Sequence, residues 1–248
     1  MKQNDLDYIA ATIDKAVKSN ITVLLPSKKF SRENGESSAI AGYFSDDDRE
    51  LLCCTKAPFK HWFGTFVHES SHMDQFLENS KAWRRLERKG PGTLDACDMF
   101  FAWLEGDKLE SDTLKWATER TRDMELDCEK RTVQKIKDWG LSLDIEDYIR
   151  SANSYVLFYN FVRKHRVWTR PGKGVYRSPK IRNLIPATFD INYSILPKWY
   201  EDAVIDHCFD GDIKSAKIKA RKVRKKNQEE GLDGQFAKRI RRSIKSSL

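Results

Sequence analysis

The sequence predicts an α+β fold: a small, mostly antiparallel sheet packed on a buried helix and on a second, long helix, followed by a helix-rich C-terminal half. Three observations carry this expectation. Short β-rich runs bounded by turn residues precede Pro58. An apolar helical stretch then carries the residues HESSH. A helical pattern from Ser111 to Trp139 ends at Gly140.

The N-terminal stretch MKQNDLDYIAATIDKAVKSN reads as an amphipathic helix with Leu6, Ile9, Ile13 and Val17 on its apolar side. It lacks the architecture of a signal peptide. Ile21 to Leu25 is an expected strand closed by Pro26. Ala39 to Phe44 and Glu50 to Thr55 form two more, joined by the turn-like Ser45-Asp46-Asp47-Asp48. Leu51 to Thr55 is the candidate edge strand, able to pair with an extended peptide; an ordinary core strand is the equal alternative.

Pro58 offers the start of the next helix. Trp62, Phe63, Phe66, Val67, Met73, Phe76 and Leu77 make it apolar around much of its circumference, as expected of a buried helix. Within it, His68 and His72 are one turn apart on one face, so both imidazoles can address a single metal ion. Glu69 then sits beside the metal, where it can take a proton from the attacking water. A zinc peptidase is the leading expectation, with one Zn2+ per chain. The alternative is a hydrogen-bonded pair of core histidines.

In the helix from Ser111 to Trp139, steps of three or four residues from Glu125 reach Leu114, Ala117 or Thr118, Thr121, Cys128, Thr132 and Ile136. Glu125 therefore lies on the less polar stripe, where an unpaired carboxylate is costly. Ligation of the metal would resolve that conflict, and pairing with an arginine at the edge of the core is the alternative. Glu129, one turn on, can accept a hydrogen bond from a ligand histidine and fix its tautomer. Glu105 is a distant second choice as third ligand. No Cys-x-x-Cys pair exists, which argues against a cysteine-based zinc site.

With HESSH at 68–72 and ELDCE at 125–129, the chain resembles the gluzincins, the glutamate-type zinc peptidases. The phrases HESSHMDQ and ELDCEKR also look like bacteriophage-encoded chains assigned as metallopeptidases, a likeness that covers about residues 40 to 140. A zincin-like domain is expected over residues 1–212. The resemblance implies His68, His72 and Glu125 as zinc ligands, Glu69 as catalytic base and Glu129 as the acid behind a ligand. Two positions depart from the family pattern. Glu129 stands where many relatives have Asp, and Asp74 follows Met73 where an apolar residue is commoner.

The charge is uneven. Residues 214–248 hold 13 Lys plus Arg against 3 acidic residues, while the whole chain is only +8. Residues 213–248 are therefore read as a basic helical extension with a thin apolar stripe of Ile213, Ala216, Ala220 and Val223. Lys214, Lys217, Lys219, Arg221, Lys222, Arg224, Lys225 and Lys226 are its candidate contacts to nucleic acid, through phosphates and without base reading. Gly231 to Gly234 interrupt it before a second short basic segment containing Phe236 and Ile240.

Leu143 to Arg166 is aromatic-rich and reads as a core-packing helix, and VWTRPGKGVYRSPKIRN as a basic loop or hairpin. Tyr155, Tyr159, His165, Tyr193 and His207 are candidate donors to a developing oxyanion. Five cysteines without regular spacing argue against a disulfide framework. No apolar run is long enough to span a membrane. The expectation is a protein of reducing cytoplasm, that of a host cell or a virion if bacteriophage-encoded, with a protein or peptide substrate. The rival readings are a nucleic-acid-associated protein, or a phage structural component, whose zinc is structural or inactive. A hybrid, a protease brought to proteins on DNA by its tail, is also consistent with the residues.

Overall fold

A computed structural model describes residues 1–28, 41–87, 94–170 and 172–229. It is helix-rich α+β with one three-stranded sheet. The elements run α1 (Gln3–Lys18), β1 (Thr22–Leu24), β2 (Gly42–Ser45), β3 (Glu50–Cys53), α2 (Phe59–Leu77), α3 (Lys81–Arg84), α4 (Ala96–Glu105) and α5 (Ser111–Trp139). Then follow α6 (Ile145–His165), a 3-10 turn (Val175–Arg177), α7 (Pro179–Arg182), α8 (Lys198–Cys208) and α9 (Ile213–Glu229). Ala39, Pro171, the glycine-containing stretch 231–234, Phe236 and Ile240 lie outside the described residues. Among the described residues, no helix is long and apolar enough to cross a membrane.

The chain divides into two compact units. The first comprises Met1–Ser80 and Asp127–Ile149, the second Lys81–Leu126 and Arg150–Leu248. In the first unit the strand order is β1-β3-β2, with β1 parallel and β2 antiparallel to β3. Two expectations are corrected here. The sheet is mixed rather than mostly antiparallel, and β3 is its central strand, so Leu51 to Thr55 cannot be the edge. Leu51, Leu52 and Cys53 are all buried, which is what a strand paired on both sides requires.

Helices α1, α2 and α5 end in the same way. Asn20, Asn79 and Gly140 each take a left-handed conformation within two positions of the helix end. The following amide bonds back into the helix: Ile21 N to Ala16 O, Ser80 N to Gln75 O and Leu141 N to Ile136 O, at 2.9 to 3.0 Å. Orphan carbonyls are thereby satisfied, and Leu141 is turned in against Ile136 in the core.

The buried face of α1 differs from the expected one. Asp5, Tyr8, Thr12 and Ala16 are buried, whereas Leu6 and Val17 are 48% and 64% exposed. Specific polar contacts outweigh the apolar stripe. Asp5 accepts the amides of Lys2 and Ser142, and the Tyr8 hydroxyl meets Ser70 Oγ at 2.5 Å. Around these lies a core of Phe63, Phe66 and Val67 from α2, Leu51 and Cys53 from β3, and Ile136 from α5.

The second unit is organised around α6. Its Val156, Leu157, Phe158, Phe161 and Val162 are buried with Tyr200 and Val204 of α8. Ile213, Ala216 and Ala220 of α9 pack against this core, but Val223 is exposed, so the apolar stripe of α9 stops at Ala220. The segment after α6 contains the 3-10 turn and α7 rather than a hairpin.

Candidate metal centre

Helix α2 delivers the two histidines. Their Nε2 atoms lie 3.1 Å apart, with the rings at 89°. Two nitrogens each about 2.0–2.1 Å from a tetrahedral zinc ion are separated by about 3.3–3.4 Å. The pair therefore already has nearly the spacing of one edge of a zinc tetrahedron.

What surrounds each ring decides which nitrogen is available. His72 Nδ1 lies 2.8 Å from Gln75 Oε1, and Gln75 Nε2 donates to Asp127 Oδ2 at 2.7 Å. An ionised carboxylate only accepts, so the amide nitrogen of Gln75 faces Asp127 and its oxygen faces the ring. His72 then donates through Nδ1 and keeps its Nε2 lone pair, the tautomer a metal ligand needs. Arg131 Nε closes the chain by donating to Asp127 Oδ2 at 2.8 Å.

His68 is held from α5. Its Nδ1 lies 3.4 Å from Glu129 Oε1 and 3.6 Å from Cys128 Sγ. Glu129 Oε2 accepts the hydroxyl of Tyr148 at 2.6 Å. Burial disfavours charge on His68, but Cys128 and Glu129 together hold its pKa well above the ordinary imidazole value. Burial, reinforced by Glu129, pushes the Tyr148 hydroxyl pKa well up. His68 is thus held at Nδ1 by Glu129 and Cys128, with its Nε2 turned toward His72.

His68, His72 and Cys128 each offer a donor atom within 4.8 Å of the others. A cysteine thus enters the group even though no Cys-x-x-Cys pair exists. Cys128 Sγ, however, lies against His68 Nδ1 and donates to the His68 carbonyl at 3.4 Å. It flanks the nitrogen of His68 that faces away from His72, and its contacts are those of a supporting hydrogen-bond partner.

Glu69 is buried on the side of α2 that faces the sheet. Its Cγ would lie 3.3 Å from a Cβ on Gly42 of β2. Its charge is also felt by Cys53 of β3, whose thiol pKa is pushed up first by burial and then by Glu69. The carboxylate is therefore set where β2 closes on the helix.

Glu125 belongs to the second unit, as does exposed Glu105. Glu125 is buried, and its Oε1 accepts the hydroxyls of Tyr159 at 3.1 Å and Tyr155 at 3.3 Å. Those two tyrosines are among the expected oxyanion donors, and here both donate to Glu125. Of the others, Tyr193 donates to Asn153, and His165 Nε2 lies 2.7 Å from Glu201 Oε1. His207 is half-buried on α8.

Asp74 is explained by its partners. Lys15 of α1 and Lys135 of α5 each approach its carboxylate to 2.7 Å. Burial alone would raise its pKa, but the two lysines, Lys135 foremost, hold it below the ordinary value of 3.8. Sequence reasoning did not single out Gln75, Asp127 or Tyr148. Gln75 could have been found from its place three residues after His72 on the same helix face. Tyr148 carries no such local signal.

No protein-family model, curated protein or solved structure matches this chain.

Proposed function

We propose that this chain is a zinc-dependent peptidase, with His68 and His72 as metal ligands and Glu69 as general base. The observation that carries the reading is the 3.1 Å approach of two Nε2 atoms, one of them on a ring whose Nδ1 donates to Gln75. When bound, zinc would supply a water of lowered pKa and positive charge for the developing oxyanion. Glu69 takes the proton of the attacking water and returns it to the leaving amine. Gln75 and Glu129 hold the imidazoles in place through their second nitrogens. Strand β2, an edge of the sheet, can pair with an extended substrate, and Gly42 lets that strand approach Glu69 closely.

The test is hydrolysis of a denatured-protein substrate beside metal analysis of the same preparations. Glu69→Gln is expected to abolish cleavage and keep one zinc per chain, and His72→Ala to lose both. Cleavage retained by Glu69→Gln, or no zinc in the wild type, overturns the reading. Glu125→Gln in the same series tests the third ligand that the gluzincin resemblance implies.

A further inference from the structure

A second candidate site lies within the other unit. The end of α6, Gly106 and one face of α9 enclose a cavity of about 390 Å³. Lys217, Arg221, Arg224 and Lys225 line it from α9, at the i, i+4, i+7, i+8 spacing of a single helix face. Lys164 lines it from the last turn of α6 and Arg166 from the position just past that helix. Six cationic side chains thus converge on one concave space.

A solvated helix face would leave such arms spread in water. Here two are fixed. Arg166 occupies a left-handed position (φ 51°) that usually goes to glycine. Its guanidinium donates to the carbonyls of Trp103 and Asp107 and lies 4.9 Å from the Trp103 ring centroid. Arg224 donates to the carbonyls of Arg166 and Leu104 at 3.1 and 3.4 Å. Burial and the charges of Arg166 and Arg221 push the Arg224 pKa down, so the site holds cations against their mutual repulsion. The buried carboxylate Glu201 is engaged by Lys164 at 2.8 Å and His165 at 2.7 Å, and at the exposed end Lys225 pairs with Glu229 at 3.6 Å. His165 also lines the cavity. Burial lowers its pKa, and its buried Nδ1 has no hydrogen-bond partner among the described residues.

We propose that this cavity binds a ligand bearing two or more phosphate groups. Forked guanidiniums and ammoniums are the donors phosphate oxygens take, and a polyanion relieves the repulsion that the fold maintains. Among the described residues the lining is Gly106, His165 and six Lys and Arg side chains, donors that suit phosphate oxygens rather than base edges. A nucleic-acid backbone and a free oligophosphate share this chemistry.

The experiment uses the full chain, with a fluorescent single-stranded oligonucleotide in anisotropy titrations and inorganic tripolyphosphate by calorimetry. Lys217→Ala/Arg221→Ala is compared with Lys219→Ala/Lys222→Ala, which removes two exposed charges of the same helix outside the cavity. The cavity variant is expected to weaken binding at least 10-fold. For the oligonucleotide it should also flatten the slope of log K against log salt by about 1.4, the contribution of two single-strand phosphate contacts. The control variant is expected to stay near wild type. Binding of the oligonucleotide alone assigns the site to a nucleic-acid backbone. Binding of tripolyphosphate, alone or in competition with the oligonucleotide, assigns it to free phosphates or to either source. Equal losses in both variants mean diffuse charge attraction and overturn the proposal, as does failure of the wild type to bind either probe. Circular dichroism checks that each variant folds, and the exposed single change Arg221→Gln gives the same readout if the double variant does not. Glu69→Gln should bind both probes like wild type, which separates this site from the proposed peptidase.

Discussion

His72 donates its Nδ1 proton to Gln75 Oε1 at 2.8 Å, and Gln75 is in turn oriented by Asp127. In the proposed site this relay would act on a bound metal without touching it. Gln75→Leu removes the acceptor and frees the ring to change tautomer. Zinc affinity is expected to fall by about 10–100-fold, as for other partners placed behind a ligand. Competition with a chromophoric chelator measures it, and an unchanged affinity would show that the glutamine is irrelevant to the site.

Cys128→Ser is expected to keep zinc, with affinity lowered by less than about 10-fold. The thiol sits beside His68 Nδ1 and the His68 carbonyl, away from the nitrogen that faces His72. Metal content per chain is the readout. Loss of zinc as complete as in His72→Ala would make the thiolate a ligand and require the His68 ring to turn over.

Asp74→Asn is expected to cost about 1–3 kcal/mol near pH 7, since it removes the charge that two lysines share. Lys135, the more buried partner, accounts for most of this, and the half-exposed Lys15 is screened by solvent. The folded pKa of Asp74 lies below its ordinary value of 3.8. Its stabilisation is therefore complete above that value and fades as pH falls through the folded pKa. Urea denaturation of wild type and variant at neutral pH and near pH 3 tests this. The gap between the two should narrow in acid, and a gap independent of pH would assign the effect to packing.

Gly42→Ala places a Cβ 2.7 Å from Thr65 Cγ2 and 2.8 Å from the Leu52 carbonyl. Strand β2 must then move from α2, at a cost of about 1–3 kcal/mol. Adding Thr65→Ala relieves only the first clash, because the Leu52 carbonyl belongs to the central strand. Thermal unfolding of the single and double variants should show partial recovery. A neutral single variant would mean that β2 is not held close to the helix.

Local pattern reveals some of these features and hides others. The limits of α5 follow from a continuous helical pattern that Gly140 ends, and α2 starts after Pro58 for an equally local reason. The histidine pair is legible because one helix holds both members at i and i+4. What is not legible depends on partners far along the chain. The run Glu50 to Thr55 looks the same as an edge or a central strand until β1 is known to pair with its far side. The buried face of α1 follows Asp5 and Tyr8, whose partners Ser142 and Ser70 are 137 and 62 residues away. Asp74 breaks an expected apolar position because two lysines from other helices meet it there. The basic cavity needed α9 to be laid beside the end of α6, which no stripe within α9 reveals.

The ties of α1 also bear on the order in which the first unit can form. Asn4 donates to the Trp139 carbonyl and Asp5 accepts from Ser142, contacts spanning 135 and 137 residues. During synthesis the first helix leaves the ribosome long before either partner is made. HESSH itself meets Cys128 and Glu129 only after some sixty further residues. Closing loops of this length makes folding of the first unit slow compared with local helix formation. Until residues 128 and 129 have been made, His68 and His72 therefore lack the α5 contacts that surround them in the folded first unit.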